Sequence, residues 1–522
     1  MTNKIPTPIE FGLPPKFQDW YPNQWEILQQ MLQNKTRFFT GVISTGSGKS
    51  LLYMALAQLS GCRTAILTST KGLQTQLMLD FSSLGLVDVR GKNAYLCPLE
   101  TDNTPCSEGL CITGFQCPLR FNETCPYYSA LAKATRSKLV VTNYYFWMYN
   151  HTYGEGIGNF DMLILDEAHN LPQTVADFLT ITIQKDHPVT SCFLPSTLPR
   201  SLDSWQNWAK RIILDIDKEI DYLKQSSMTF GGRIPPFQRV NLASLLAFRT
   251  KILQIPELNN NWILEESDKV IQFAPKWTQS YCESVLFRGI KNVVLVSATV
   301  CAKTISLLGI PKKLNTIKEY PSTFPVENRR LWHIPTIKMN YLNTTEELKQ
   351  WVSRIDQILD SRPDRKGIIH TVSYKRRDIL LKYTRHMDRM ISHSYKDVEQ
   401  TVETFKNSSE PLVLVSPSIS TGYDFPLDTC RFQIIGKIAY PDMSSKILKA
   451  RLETDPDYAA YLAAQMLVQA VGRAVRSPDD WCENFILDDN IGQLLDRFKD
   501  FFPKWFRTAV RKSATIPKAR EL

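Results

Sequence analysis

Residues 40–60 read TGVISTGSGKSLLYMALAQLS. A β-branched start runs into a loop with Gly46 and Gly48, then into LLYMALAQL, whose length and composition suit a helix. Glycines in such a loop let backbone amides curl around a phosphate, and the helix N-terminus behind them favours its charge. Thr45, Gly46, Ser47 and Gly48 would form the cradle, Lys49 would face the β and γ phosphates, and Ser50 would ligate Mg2+. A second strand-like run, FDMLILDEAHN at 160–170, ends in Asp166 and Glu167. The first carboxylate can hold the ion through water and the second can polarise an attacking water. Alone, each stretch has a plainer reading, as a glycine-rich turn or an acidic helix cap. Together they imply an ATPase that uses Mg2+.

A different chemistry is suggested at 97–125, where Cys97, Cys106, Cys111, Cys117 and Cys125 account for five of the eleven cysteines. Only Cys106 and Cys111 have the tight spacing of a zinc knuckle. A four-iron cubane also takes four thiolates and tolerates irregular gaps, so spacing alone leaves zinc and iron–sulfur level. Disulfides are disfavoured, because the opening MTNKIPTPIEFG lacks a signal-peptide layout and no apolar window is long enough for a bilayer. A cytoplasmic protein with no membrane partner is the expectation. The net charge of +10 suits a polyanionic partner but is weak evidence by itself.

The elements that must position these groups recur along 522 residues, enough for several domains. RKGIIHTVSYKRRDIL at 365–380 and VLVSPSISTGYDF at 413–425 each read as a short apolar strand followed by a polar turn. In QAVGRAVRSPDD at 469–480, Arg473 and Arg476 lie three apart on one helix face. Fixed guanidinium groups can stabilise charge spreading over a transferred phosphoryl group; the rival reading is a solvated basic surface. Between the two halves, 201–225 and RVNLASLLAFRTKILQIPEL show helical spacing, with SSMTFGGRIPP as the turn between them. Trp205, Trp208 and Trp262 read as core residues, and FFPKWF at 501–506 as packing rather than base stacking.

On these motifs the sequence resembles, over nearly its whole length, the XPD/DinG-like iron–sulfur branch of the superfamily 2 helicases. Ile43, where the general phosphate-loop pattern has glycine, is part of the STGSGKS form found in helicases. The resemblance implies that Gln24 in YPNQWEIL contacts adenine, that Thr70 and Lys71 in LTSTKGLQTQL touch the DNA backbone, and that VSATV at 296–300 links ATP state to DNA contact. It further implies that Gly422 lies at a turn beside Asp424, which contacts the ribose or the coupling network, that Gln469, Arg473 and Arg476 belong to the motif that crosses to the γ-phosphate, and that His169 is a coupling residue. GKNAYLC and CPYY resemble the edges of the family's [4Fe-4S] insertion. That makes Cys97 and Cys125 the anchoring ligands, joined by Cys111 and Cys117, with Cys106 as a substitute for Cys111.

The implied fold is α/β: two tandem RecA-like parallel-sheet motor domains, the first carrying an iron–sulfur insertion and a helical arch. The expected boundaries are motor domain 1 at 1–90, 128–171 and 289–330, the cluster domain at 91–127, the arch at 172–288 and motor domain 2 at 331–522. The implied activity is ATP-dependent 5′ to 3′ translocation on single-stranded DNA and unwinding of forked duplex, by a monomeric motor. Two alternatives stand beside it. One is a nucleic-acid-stimulated ATPase that remodels RNA–DNA hybrids or displaces proteins. The other, from a different class, is a zinc-containing structural or nucleic-acid-binding protein with a vestigial ATP site.

Overall fold

The computed structural model describes residues 5–100, 103–122, 124–229, 235–418, 423–473, 475 and 480–521. In chain order, its first strands are β1 (Phe38–Val42), β2 (Thr64–Thr68), β3 (Leu86–Asp88), β4 (Leu139–Asn143) and β5 (Met162–Asp166). The next are β6 (Ile181–Gln184), β7 (Trp262–Glu266), β8 (Val270–Pro275), β9 (Asn292–Ser297) and β10 (Asn315–Glu319). β1–β5, β9 and β10 form a seven-stranded sheet in the order β10-β1-β9-β5-β2-β4-β3, and every pairing in it is parallel. Runs such as MLILD and NVVLVS are apolar almost throughout because both faces of the sheet are covered. Leu163, Leu165, Val293 and Leu295 enter one core, and Met162, Ile164, Val294 and Val296 enter the other.

This order puts β1, β9 and β5 side by side. The phosphate loop, the SAT turn and the DEAH turn all leave the C-terminal ends of those three strands. Motifs some 120 residues apart in sequence thereby become neighbours, as parallel sheets commonly gather their sites.

The second sheet contains β11 (Leu331–Ile337), β12 (Gly367–His370), β13 (Met390–Ser392), β14 (Val413–Ser416), β15 (Phe432–Ile435), β16 (Glu483–Asp488) and β17 (Val510–Lys512). Its order is β13-β14-β12-β15-β16-β11-β17, again with parallel pairings. The two-sheet α/β architecture is therefore as expected.

The segment expected to be a helical arch is mixed. Its helices Leu202–Thr229 and Pro236–Ile252 pack on an antiparallel sheet, β6-β8-β7. Ile181, Ile183, Ile271 and Phe273 from the strands meet Trp205, Trp208, Leu242 and Leu245 from the helices in one core. Strands of four to six residues are short beside the long helical pattern, which is why periodicity missed them. Trp205 and Trp208 are buried core residues, and Trp262 is half-buried with its Nε1 donating to Tyr281 Oη at 3.0 Å.

Contacts tie the units together. The buried Arg239 of the arch clamps Glu100 of the cysteine-rich insertion with both terminal guanidinium nitrogens, and Ile112 of that insertion packs against the arch core. Arg451, from the second unit's helix Lys446–Thr454, donates to the carbonyls of Pro275 (3.2 Å) and Lys276 (2.8 Å) at the foot of the arch. FFPKWF packs as expected: Phe502, Trp505 and Phe506 are buried, and Arg329 donates to the Trp505 carbonyl at 2.9 Å. Among the described residues, no helix is long and apolar enough to cross a membrane.

Candidate functional site

The phosphate loop joins β1 to the helix Lys49–Ser60, and Gly46 and Gly48 take the left-handed conformation (φ 73° and 66°). A Cβ on Gly48 would collide with Gln24 Nε2. That amide nitrogen donates to the carbonyls of Ser47 (2.8 Å) and Gly48 (3.1 Å), while Gln24 Oε1 accepts from the Tyr21 amide at 2.8 Å. Gln24, expected at the base, thus also braces the loop that cradles phosphate. Ser44 and Ser47 share a hydroxyl contact of 2.7 Å inside the loop.

Lys49 Nζ lies 3.8 Å from Glu167 Oε1, so the predicted phosphate-facing cation and water-polarising carboxylate meet. Glu167 takes a left-handed backbone (φ 51°), which turns the chain sharply off β5. Asp166 is buried, and its Oδ1 accepts from the Glu167 amide at 2.9 Å. Burial, reinforced by the Glu167 charge and opposed by Lys49, pushes its carboxyl up to about 7.

Two tyrosines that the sequence reading passed over act on Asp166 and its neighbour Ser50. Tyr144 Oη donates to its carbonyl at 2.5 Å. Tyr53 Oη donates to Ser50 Oγ at 3.3 Å, and the charge of the nearby Asp166 carboxylate acts on its phenol. Burial and the nearby carboxylates raise both phenols well above their ordinary value, so they stay protonated donors. The available signal was spacing: Tyr53 is one helical turn beyond Ser50.

A line of side chains continues toward the second sheet. Glu167 Oε2 is 3.3 Å from His169 Nδ1, which is 2.8 Å from Ser297 Oγ at the end of β9. Ser297 Oγ is 3.4 Å from Thr299 Oγ1. On the helix Tyr458–Val471 of the second unit, Gln469 Nε2 donates to Thr299 Oγ1 (3.1 Å) and Gln465 Nε2 to the Thr299 carbonyl (2.9 Å). Thr45 of the phosphate loop sits against Gly472 just beyond that helix. Arg473 is held within its own unit, with Nη1 donating to the Tyr423 carbonyl at 2.6 Å and lying 3.9 Å from Asp424. Arg476 and Gly422 lie outside the described residues. Thr70 caps the helix Lys71–Phe81, its Oγ1 accepting from the Leu73 amide at 3.2 Å, and both Thr70 and Lys71 are exposed.

All five clustered cysteines line one cavity, together with Lys92, Tyr127 and Tyr128. Cys117 and Cys125 each immediately precede a proline that starts a helix. Cys106 Sγ lies 4.0 Å from Cys125 Sγ. Burial raises the Cys97 and Cys111 thiols, and burial with the neighbouring Cys125 pushes Cys106 up to about 12. Among the described residues, no three or more His, Cys, Asp or Glu side chains converge closely enough to hold a metal ion. The donor set, soft thiols lining a shared cavity, is of the chemical kind that iron–sulfur clusters use.

Next to it, a larger open cavity of about 810 Å3 lies between this insertion, the helix Tyr144–Tyr153 and the arch helix Pro236–Ile252. Lys92, Arg120, Tyr127, Tyr128, Tyr149 and Tyr153 are among its lining residues.

With this geometry in view, the comparisons are direct. A model described as helicase C-terminal domain matches residues 355–509. A model described as type III restriction enzyme, res subunit, matches residues 18–193. The solved structure of an XPD helicase overlays 94% of this chain and 98% of its own at a TM-score of 0.66 and 14% identity. The chain has the fold of the XPD helicases. Apo XPD overlays 94% of this chain and 99% of its own (TM-score 0.61, 13% identity), and S. tokodaii Xpd4 overlays 94% and 100% (0.58, 13%). No curated protein matches in sequence. The two models, with the XPD-type fold, support a nucleic-acid helicase and ATPase activity, which implies ATP and Mg2+.

Proposed function

We propose that this chain is an ATP-driven DNA helicase that advances 5′ to 3′ along single-stranded DNA and separates a forked duplex. The observation that carries the reading is the line of contacts from Lys49 through Glu167, His169, Ser297 and Thr299 to Gln469, because it joins the nucleotide loop of one sheet to a helix of the other. Lys49 meets the phosphates, Ser50 and, through water, Asp166 would hold Mg2+, and Glu167 polarises the attacking water. Mg2+, when bound, neutralises charge on the phosphate oxygens. Arg473 leaves the Tyr423 carbonyl for the cleft as the units close. Reopening after hydrolysis moves Gln469 relative to Thr299, which converts the chemical step into motion between the sheets.

The cavity between the cysteine-rich insertion and the arch is the proposed strand passage. The exposed Tyr149 and Tyr153 offer faces on which bases of any identity can stack, and Lys92 and Arg120 offer phosphate contacts. A cluster held by Cys97, Cys117, Cys125 and either Cys111 or Cys106 would cross-link a segment with little apolar core of its own.

The test uses forked DNA with a single-stranded 5′ or 3′ tail, anaerobically purified protein and ATP. Unwinding from the 5′ tail only, lost in Lys49→Ala, is expected. Unwinding from the 3′ tail alone overturns the polarity, and DNA-stimulated ATP turnover without strand separation favours protein displacement. Iron and acid-labile sulfide at about four each per chain are expected on the same sample; one zinc and no sulfide removes the cluster.

A further inference from the structure

The helix behind the phosphate loop is apolar and buried all round over 51–57: Leu51, Leu52, Met54, Ala55, Leu56 and Ala57 are all at most 5% exposed. Tyr53, among them, is fully buried and yet carries a hydroxyl. A buried phenol needs a partner for that group, and nothing about packing alone requires the partners found here. The hydroxyl donates to Ser50 Oγ, at 3.3 Å one turn back on the same helix, and feels the charge of the Asp166 carboxylate at the end of β5. Those two side chains come from different elements and are the pair assigned above to Mg2+. Tyr144 anchors the other side of Asp166, through its carbonyl.

We infer that Tyr53 is a positioning residue that sets the spacing of Ser50 and Asp166 and thereby tunes the affinity of the nucleotide site for Mg2+. This rests on the assignment of Ser50 and Asp166 as the Mg2+ ligands. The physical basis is that ligating oxygens are oriented by the hydrogen bonds they make to groups behind them, and loss of such a partner typically costs about 10–100-fold in metal affinity. A hydroxyl that holds Ser50 next to the Asp166 charge constrains the pair, which neither a leucine nor a phenylalanine at 53 could do.

Tyr53→Phe keeps the ring and removes only the oxygen. Binding of a fluorescent, non-hydrolysable ATP analogue by the full-length protein is titrated with Mg2+, and the analogue's affinity is measured separately in EDTA. The expected result is a rise of about tenfold or more in the Mg2+ concentration at half-saturation, with the affinity in EDTA changed less than twofold. Tyr144→Phe is the comparison: it removes a buried hydroxyl from the Asp166 carbonyl, so it should lower the melting temperature and leave the Mg2+ midpoint in place. An unchanged Mg2+ midpoint in Tyr53→Phe overturns the inference, as does an equal shift in both variants, which would mean general loosening. If the wild-type protein itself binds the analogue without Mg2+ dependence, it is the ligand assignment that fails, and the inference falls with it.

Discussion

Asp166→Asn should make the nucleotide-free protein more stable while abolishing its activity. Asp166 is buried beside Glu167, and its carboxyl is pushed up to about 7 from an ordinary 3.8. A carboxyl that binds its proton more tightly folded than unfolded costs stability once the pH rises above the unfolded value. The cost is absent below about pH 4, grows to about pH 7 and is constant above that. The gap corresponds to about 4 kcal/mol at 1.36 kcal/mol per pH unit, and somewhat under 2 kcal/mol of it is expressed at pH 5. Asparagine keeps an acceptor for the Glu167 amide and carries no charge. At pH 8 its first-domain unfolding transition should therefore rise by roughly 10 °C, and at pH 5 by less than half of that. Differential scanning calorimetry of both proteins without nucleotide, at the two pH values, makes the measurement. A variant no more stable than wild type at pH 8, or one whose gain is the same at pH 5, would falsify the view that Asp166 is held ionised against its surroundings to serve a cation.

Three further outcomes are expected. Cys125→Ser should lose iron, whereas Cys106→Ser and Cys111→Ser should each retain it and the double variant lose it, because five thiols line a cavity in which a cluster needs four; iron lost in either single variant identifies that thiol as obligatory. Thr299→Val removes the hydroxyl between Ser297 and Gln469 and should slow nucleic-acid-stimulated ATP turnover about tenfold, roughly the 1.4 kcal/mol of one hydrogen bond; a wild-type rate in a steady-state assay counts against the relay. Arg239→Ala strands the largely buried Glu100 carboxylate and should cost roughly 3–5 kcal/mol at the arch contact. Limited proteolysis should then cut the arch first, and adding Glu100→Gln should restore protection.

The catalytic vocabulary was legible because it is local. GSGKS and DEAH each need particular residue types at short, fixed spacing, since the amides and cation of one suit a phosphate and the carboxylates of the other suit an ion and a water only within about one turn of chain. The apolar runs before them likewise announced buried parallel strands, and the two-sheet plan followed. The strands β6, β7 and β8 did not show themselves, because four to six residues of alternation are too short to stand out beside two long helices.

Tyr53 and Tyr144 read as ordinary core aromatics until β5 is laid between them, for a hydroxyl's partner 22 or more residues away has no trace in sequence. The same holds for the five cysteines, whose spacing favoured a subset while the fold set all of them around one space. Chain order thus determined which groups are present and what each can do to a phosphate or a metal. Only the tertiary structure decided which groups share a site, because strand order in a sheet and the packing of insertions upon it are set by long-range burial, which no short window of sequence contains.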